Sequence, residues 1–245
     1  MFNLSVLSPL KITNEKQFSL FCECLETYKD IIVSDGTELI IVNESPKEFK
    51  NKVNDKLISI KPNLINLNQK GFVNSVRGLI DKSKGKYIMF FLDDVEMVYN
   101  SKKICDSVID CMIKNQKILQ VKIGGGKVSN TPKSKNVKKF SNTHKKLNIN
   151  ESFNIWLNKN TEEYKNNNYV ITHWNCITRG DLLRDFNSRL KTNTPTWDGL
   201  TLAFSNTFKE EIKNYYTGWL NLQSFIYPWG RTKYNKKEWI QLTES

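Results

Sequence analysis

Two adjacent carboxylates, Asp93 and Asp94, close an almost wholly apolar run in Phe90-Phe-Leu-Asp-Asp-Val-Glu96. The preceding Lys86-Tyr-Ile-Met-Phe-Phe-Leu92 reads as a central strand covered on both faces, so the acids fall where a buried strand emerges. Open α/β sheets bind ligands at those C-terminal strand ends. Asp is rarely buried unpaired. Two side by side, with Glu96 beyond, suit a hard cation such as Mg²⁺ or Mn²⁺ that bridges carboxylate to substrate phosphates. The same dipeptide also suits a solvated turn, or a cap for a helix starting near Asn100. Other residues capable of chemistry are sparse. His144 and His173 are the only histidines, and His173 lies in an apolar, strand-like segment where a core role competes with that of a ligand. Cys22 and Cys24 share no metal-ligating set. Trp174, Trp197, Trp219 and Trp229 offer rings for a sugar to stack on, against the plainer role of filling a core. Arg231 ends Tyr227-Pro-Trp-Gly-Arg231, where a guanidinium would close over phosphates.

The segments that must position these residues alternate between strand and helix in the first half. Leu4–Ser8 is a short strand ended by Pro9, and Glu15–Tyr28 carries Phe18, Phe21, Cys22 and Leu25 at helical spacing. Glu38–Val42 is a second strand and Leu57–Ile60 a third. Asn68 caps a helix over about Gln69–Lys84, whose stripe is Phe72, Val73, Val76, Leu79 and Ile80, and Gly85 ends it. The 86–92 strand follows, then a helix through Ile104, Val108, Ile109 and Met112, then a strand over Ile118–Ile123. This order predicts an α/β fold with a mostly parallel central sheet and helices on both faces. Beyond Gly124-Gly-Gly126 a polar stretch to about Asn150 reads as a loop. A strand over Tyr169–Ile177 and helices near Asp181–Phe186 and Trp197–Phe204 precede an aromatic C-terminal part.

In this order the sequence resembles the GT-A nucleotide-sugar glycosyltransferases, in particular the inverting family 2 type. The resemblance rests on Val6-Leu-Ser-Pro9, Ile40-Ile-Val-Asn-Glu-Ser45, Asn68-Gln-Lys-Gly71 with Arg77, and Gly85-Lys-Tyr-Ile-Met-Phe-Phe-Leu-Asp-Asp-Val95, and covers residues 3 to about 98. It implies a single GT-A (Rossmann-like) domain over 1–245, with residues 1–120 binding the nucleotide sugar and 121–245 the acceptor, and a Lys-rich loop at 124–150. Ser8, Pro9 and Leu10 then line the donor site, Asn43 and Glu44 meet the nucleoside base, and Arg77 faces the nucleotide. The family's D-x-D motif becomes x-D-D, because Leu92 stands at its first position. Asp94 is then the metal ligand and Asp93 lies near the ribose or sugar. In Thr196-Trp-Asp-Gly199, Asp198 falls where the family carries its general base, though an Asp at a helix start also serves as a cap. His173, Trp174, Trp197, Trp229 and Arg231 are the acceptor-side candidates.

Composition limits the partners. The 245 residues carry 37 Lys and Arg against 25 Asp and Glu, a net +12, but 32 of the 37 are Lys and there are 29 Asn, a pairing that an AT-rich genome produces unaided. Location says more: from Val121 to Asn150 there are eight Lys and no acid. The longest purely apolar run, Ile88–Leu92, is five residues, far short of the ~20 that span a bilayer. The N-terminal residues lack a basic region followed by an apolar core, and five irregularly spaced Cys make no disulfide framework, so a reducing cytoplasm is expected. The expectation is a Mn²⁺- or Mg²⁺-dependent, inverting transfer of sugar from a nucleoside diphosphate to a hydroxyl on a glycan or glycolipid. The lysines would then meet an anionic membrane surface. The other acceptor is a modified nucleic-acid base, with the lysines on phosphates. A nucleotidyltransferase is less suited because Ser8-Pro-Leu-Lys11 lacks a Gly-rich phosphate loop, and a sugar- or nucleic-acid-binding module without turnover is the non-enzymatic reading.

Overall fold

The computed structural model describes residues 2–93, 95–97, 101–123, 145–148, 154–161, 176–192, 194, 196–220 and 225–226. Strand β1 (Leu4–Leu10) leads into helix α1 (Glu15–Ile32), which Asn14 caps by accepting the Gln17 N–H at 2.9 Å. Then come β2 (Thr37–Asn43), α2 (Lys47–Ile60), β3 (Ile65–Leu67), α3 (Phe72–Lys82), β4 (Tyr87–Phe90), the short β5 (Glu96–Met97) and α4 (Ser101–Lys114). The second half contributes β6 (Ile118–Lys122), β7 (Lys145–Asn148), β8 (Asn154–Lys159), β9 (Cys176–Arg179), α5 (Gly180–Arg189), α6 (Trp197–Thr207), α7 (Lys209–Ile212), β10 (Tyr216–Leu220) and β11 (Phe225–Ile226).

Among the described residues nine strands form one sheet in the order β3-β2-β1-β4-β9-β6-β10-β8-β7, and β5 pairs with β11 apart from it. The sheet is mixed, with its first-half strands parallel as the strand–helix alternation predicts. β3, β2, β1 and β4 run together, as do β6 and β10, while β9 lies antiparallel between β4 and β6, and β8 and β7 alternate at the far edge.

Alternating side chains build a core on each face. Val6, Leu39, Ile41, Met89 and Phe91 join Phe21, Leu25 and Tyr28 of α1, Val53 of α2 and Val108 of α4. Leu7, Ile40, Val42, Ile88 and Phe90 join Val76 and Leu79 of α3, Leu183 and Phe186 of α5, and Leu200 and Phe204 of α6. The inner strands β1, β2 and β4 are therefore buried on both faces, with Ser5, Ser8 and Glu38 among the polar exceptions to mostly apolar side chains.

Three local expectations are corrected. Leu57–Ile60 is the last turn of α2, not a strand: Phe49, Val53 and Leu57 recur every four residues and are buried together. Asn68 does not cap α3, which begins after Gly71, and Gly71 holds φ 83°, a conformation that costs glycine little. Lys145–Asn148, placed in the polar loop, is an edge strand in which Lys146 and Leu147 alternate with opposite partners on β8. Among the described residues no helix is long and apolar enough to cross a membrane.

Candidate functional site

The chain order in the sheet marks a place for a ligand. From β1 it proceeds to β2 and β3 on one side, then returns past β1 to β4 on the other. The connections therefore diverge between β1 and β4, and open α/β sheets bind nucleotides outside the C-terminal strand ends at such a switch point. The residues at that edge are Ser8–Leu10 of β1, Leu92 and Asp93 after β4, and Asn43 and Glu44 at the end of β2.

Hydrogen bonds fix the edge from below. The Phe91 N–H donates to the Leu7 carbonyl at 2.9 Å, and the buried Ser8 hydroxyl donates to the Phe91 carbonyl at 2.9 Å, so β1 grips the chain two residues before Asp93. Asp93 lies half-buried in the turn that follows. Glu44 is tied to β1 by its N–H on the Leu10 carbonyl at 2.8 Å. Its carboxylate accepts the Gly71 N–H at 2.9 Å and the Ser75 hydroxyl at 2.7 Å, placing a negative charge at the N-terminus of α3. Sequence reasoning missed Ser75; its signal was a hydroxyl four residues after Gly71, one helical turn on.

The other expected donor residues divide. Asn43 is buried with its amide donating to the Lys50 carbonyl (3.2 Å) and to Asn54 Oδ1 (2.9 Å), while its Oδ1 accepts the Ser45 N–H (3.1 Å). Its side chain thus secures the β2–α2 turn. Arg77 likewise has a packing task rather than a phosphate: Nη2 donates to the Asn187 and Leu190 carbonyls at 3.0 Å each, and Nε to Asn187 Oδ1 at 3.3 Å, locking α3 to α5. Pro9 is half-buried and Leu10 buried beneath the edge.

Asp198 is exposed in the first turn of α6. The cap of that helix is Thr196, whose hydroxyl accepts the Gly199 N–H at 3.1 Å, so the helix start does not need the Asp198 carboxylate. Trp197 opens the same helix. Glu96 is buried in β5, opposite Ile226. Asp94, His144, His173, Trp174, Trp229 and Arg231, together with the lysines at 127–139, lie outside the described residues.

Among the described residues no three His, Cys, Asp or Glu side chains gather into a metal cage. The edge offers the half-buried Asp93 carboxylate at the exit of a buried strand. That donor set fits a hard cation that takes one or two protein carboxylates and completes its shell with phosphate and water. Thiol chemistry is not prepared: all five cysteines are free, four of them buried, and burial pushes the Cys105 thiol up to about 12.

No protein-family model and no curated protein matches the chain. Solved structures do. The chain superimposes on crystal structures of S. aureus TarS 1–349: in complex with UDP-GlcNAc (TM-score 0.57, 14% identity, 98% of this chain and 64% of that one) and in complex with UDP (0.54, 15%, 91% and 59%). It also superimposes on a mycobacterial protein (0.55, 10%, 99% and 71%). The chain thus spans about three-fifths of the length of the TarS chains it matches. The fold is GT-A-like, a single mixed sheet flanked by helices.

Proposed function

We propose that the chain is a glycosyltransferase that moves a sugar from a nucleoside diphosphate to an acceptor hydroxyl with inversion, assisted by Mn²⁺ or Mg²⁺. The observation that carries this reading is the switch point between β1 and β4, with Asp93 at its rim and the Glu44 carboxylate set one strand away. The fold shared with TarS, whose crystal structures hold UDP and UDP-GlcNAc, supports it.

In this reading Ser8–Leu10 and Glu44 line the nucleoside, and Glu44, held by α3, keeps carboxylate lone pairs for base N–H groups. Asp93 meets the ribose or the sugar, and Asp94 holds the metal. The cation would neutralise charge on the departing diphosphate. Asp198 removes the acceptor proton as the hydroxyl oxygen attacks the anomeric carbon, a task that suits a carboxylate not spent on capping. Residues 1–120 hold the donor and 121–245 shape the acceptor side.

The test is a thermal-shift and donor-hydrolysis series with UDP-GlcNAc, GDP-mannose and their diphosphates, with and without Mn²⁺. A diphosphate at 100 times its Kd adds about 2.7 kcal/mol of stability. Stabilisation by one nucleotide family, with slow Mn²⁺-dependent hydrolysis of its sugar, is expected. Binding without turnover would favour the sugar-binding module. Pyrophosphate release from a nucleoside triphosphate and a sugar phosphate would favour a nucleotidyltransferase.

A further inference from the structure

One row of side chains on the second half of the sheet belongs to neither the donor edge nor the helix-covered cores. Lys122 on β6 pairs with Trp219 on β10, Trp219 with Trp156 on β8, and Trp156 with Lys146 on β7. Directly paired residues project from the same face, so the four form a continuous row, Lys–Trp–Trp–Lys, across four strands. Their neighbours Val121, Ile155, Leu157 and Leu147 point the other way, into the core beneath α1 and α4. The Lys122 ammonium lies 4.2 Å from the centroid of the Trp219 ring, and the Lys146 ammonium 5.9 Å from that of Trp156. Three of the four are half-buried and Lys146 is exposed. The indole N–H of Trp219 is shielded from solvent and has no hydrogen-bond partner among the described residues. Leaving such a donor unmet is costly.

The row nevertheless lies level with the donor edge, beginning two strands along the sheet. β6 runs parallel to β4 through the antiparallel β9 between them; Lys122 faces Cys176, and the adjacent Ile177 faces Met89. This sets the row level with the end of β4, just before the acidic turn. Three strand spacings separate its lysines by about 14 Å.

We infer that this row is the acceptor subsite, and that its ligand is a saccharide bearing anionic groups. The inference rests on the transferase reading above. The two indoles offer apolar surface for the C–H faces of sugar rings, and the terminal ammonium groups meet carboxylate, sulfate or phosphate. A nucleic acid fits less well, because its affinity comes from many phosphate contacts and the row supplies two cations.

The test titrates the full chain, by calorimetry, with tetragalacturonate, a heparin tetrasaccharide, neutral cellotetraose and a single-stranded oligothymidylate. UDP with Mn²⁺ serves as a separate arm. At least one anionic saccharide is expected to bind about tenfold more tightly than cellotetraose; Trp156→Ala is expected to weaken it about tenfold and Lys146→Gln several-fold, with UDP binding kept. Equal binding of neutral and anionic saccharides, no saccharide binding, or Trp156→Ala binding like the wild type would each overturn the inference. Tighter, row-dependent binding of the oligothymidylate would replace it with a nucleic-acid surface. Row-dependent saccharide binding in a chain that ignores every nucleotide would keep the subsite and remove the transferase reading.

Discussion

Asp198 and Glu44 show how one carboxylate is assigned work by what its neighbours already do. Thr196 caps α6, so Asp198 is left exposed in its first turn without that structural duty. Asp198→Asn is therefore expected to leave the melting temperature unchanged and to lower kcat by about 100-fold or more; transfer kept within about threefold would exclude a general base. Glu44 has the opposite history, since both its oxygens accept hydrogen bonds from the start of α3. Glu44→Ala removes this capping and the charge at the helix N-terminus, for an expected loss of about 1 kcal/mol in urea denaturation, besides weaker nucleotide binding. A Glu44→Ala variant as stable as the wild type would show that the cap contributes nothing.

At the scale of elements, the site depends on how tightly β1 and β4 are drawn together. The Gly85 N–H donates to Ser5 Oγ at 2.8 Å and to the buried Glu38 carboxylate at 3.0 Å, immediately before β4 begins. A Cβ at Gly85 would come within 2.5 Å of the Ser5 backbone nitrogen. Backbone cannot yield as a flexible side chain does. Gly85→Ala is therefore expected to cost about 1–3 kcal/mol in equilibrium unfolding, and to lower nucleotide affinity by shifting the acidic turn. Unaltered stability would mean that the strands can part at no cost. The same scale explains the misread third strand. Leu57-Ile-Ser-Ile60 is a short apolar run that reads as a strand over four residues, but the longer Phe49, Val53, Leu57 stripe buries against β2 and decides for helix.

For the molecule as a whole, the two cores on either side of the sheet govern its chemistry as much as its stability. Four of the five cysteines are buried, so a thiol reagent is expected to modify Cys22 slowly in the native protein and all five after denaturation. The Cys105 thiol, raised by burial from 9.0 to about 12, must be protonated while folded. Its folded pKa is the higher one, so its contribution to stability is complete below pH 9 and lost as pH rises toward 12. Denaturation midpoints of wild type and Cys105→Ala are thus expected to converge between pH 8 and pH 11; a constant gap would place Cys105 in contact with water.

The sequence by itself determined the α/β class, the order of the first-half elements, the buried β4 run and the carboxylates at its end, because hydrophobic periodicity and turn residues act over short stretches of chain. Motif order also offered Glu44 and Asp198 as candidates for the site that the proposed function uses. It did not reach what depends on partners distant in the chain. Arg77 and Asn43 read as nucleotide-facing residues until α5 and α2 supply the groups they bond. Lys122, Lys146, Trp156 and Trp219 are scattered over nearly a hundred residues and become one row only through strand register. Pairing direction, and with it the mixed sheet, is set by which long-range contacts bury most surface, a quantity that belongs to the assembled tertiary structure rather than to any local segment.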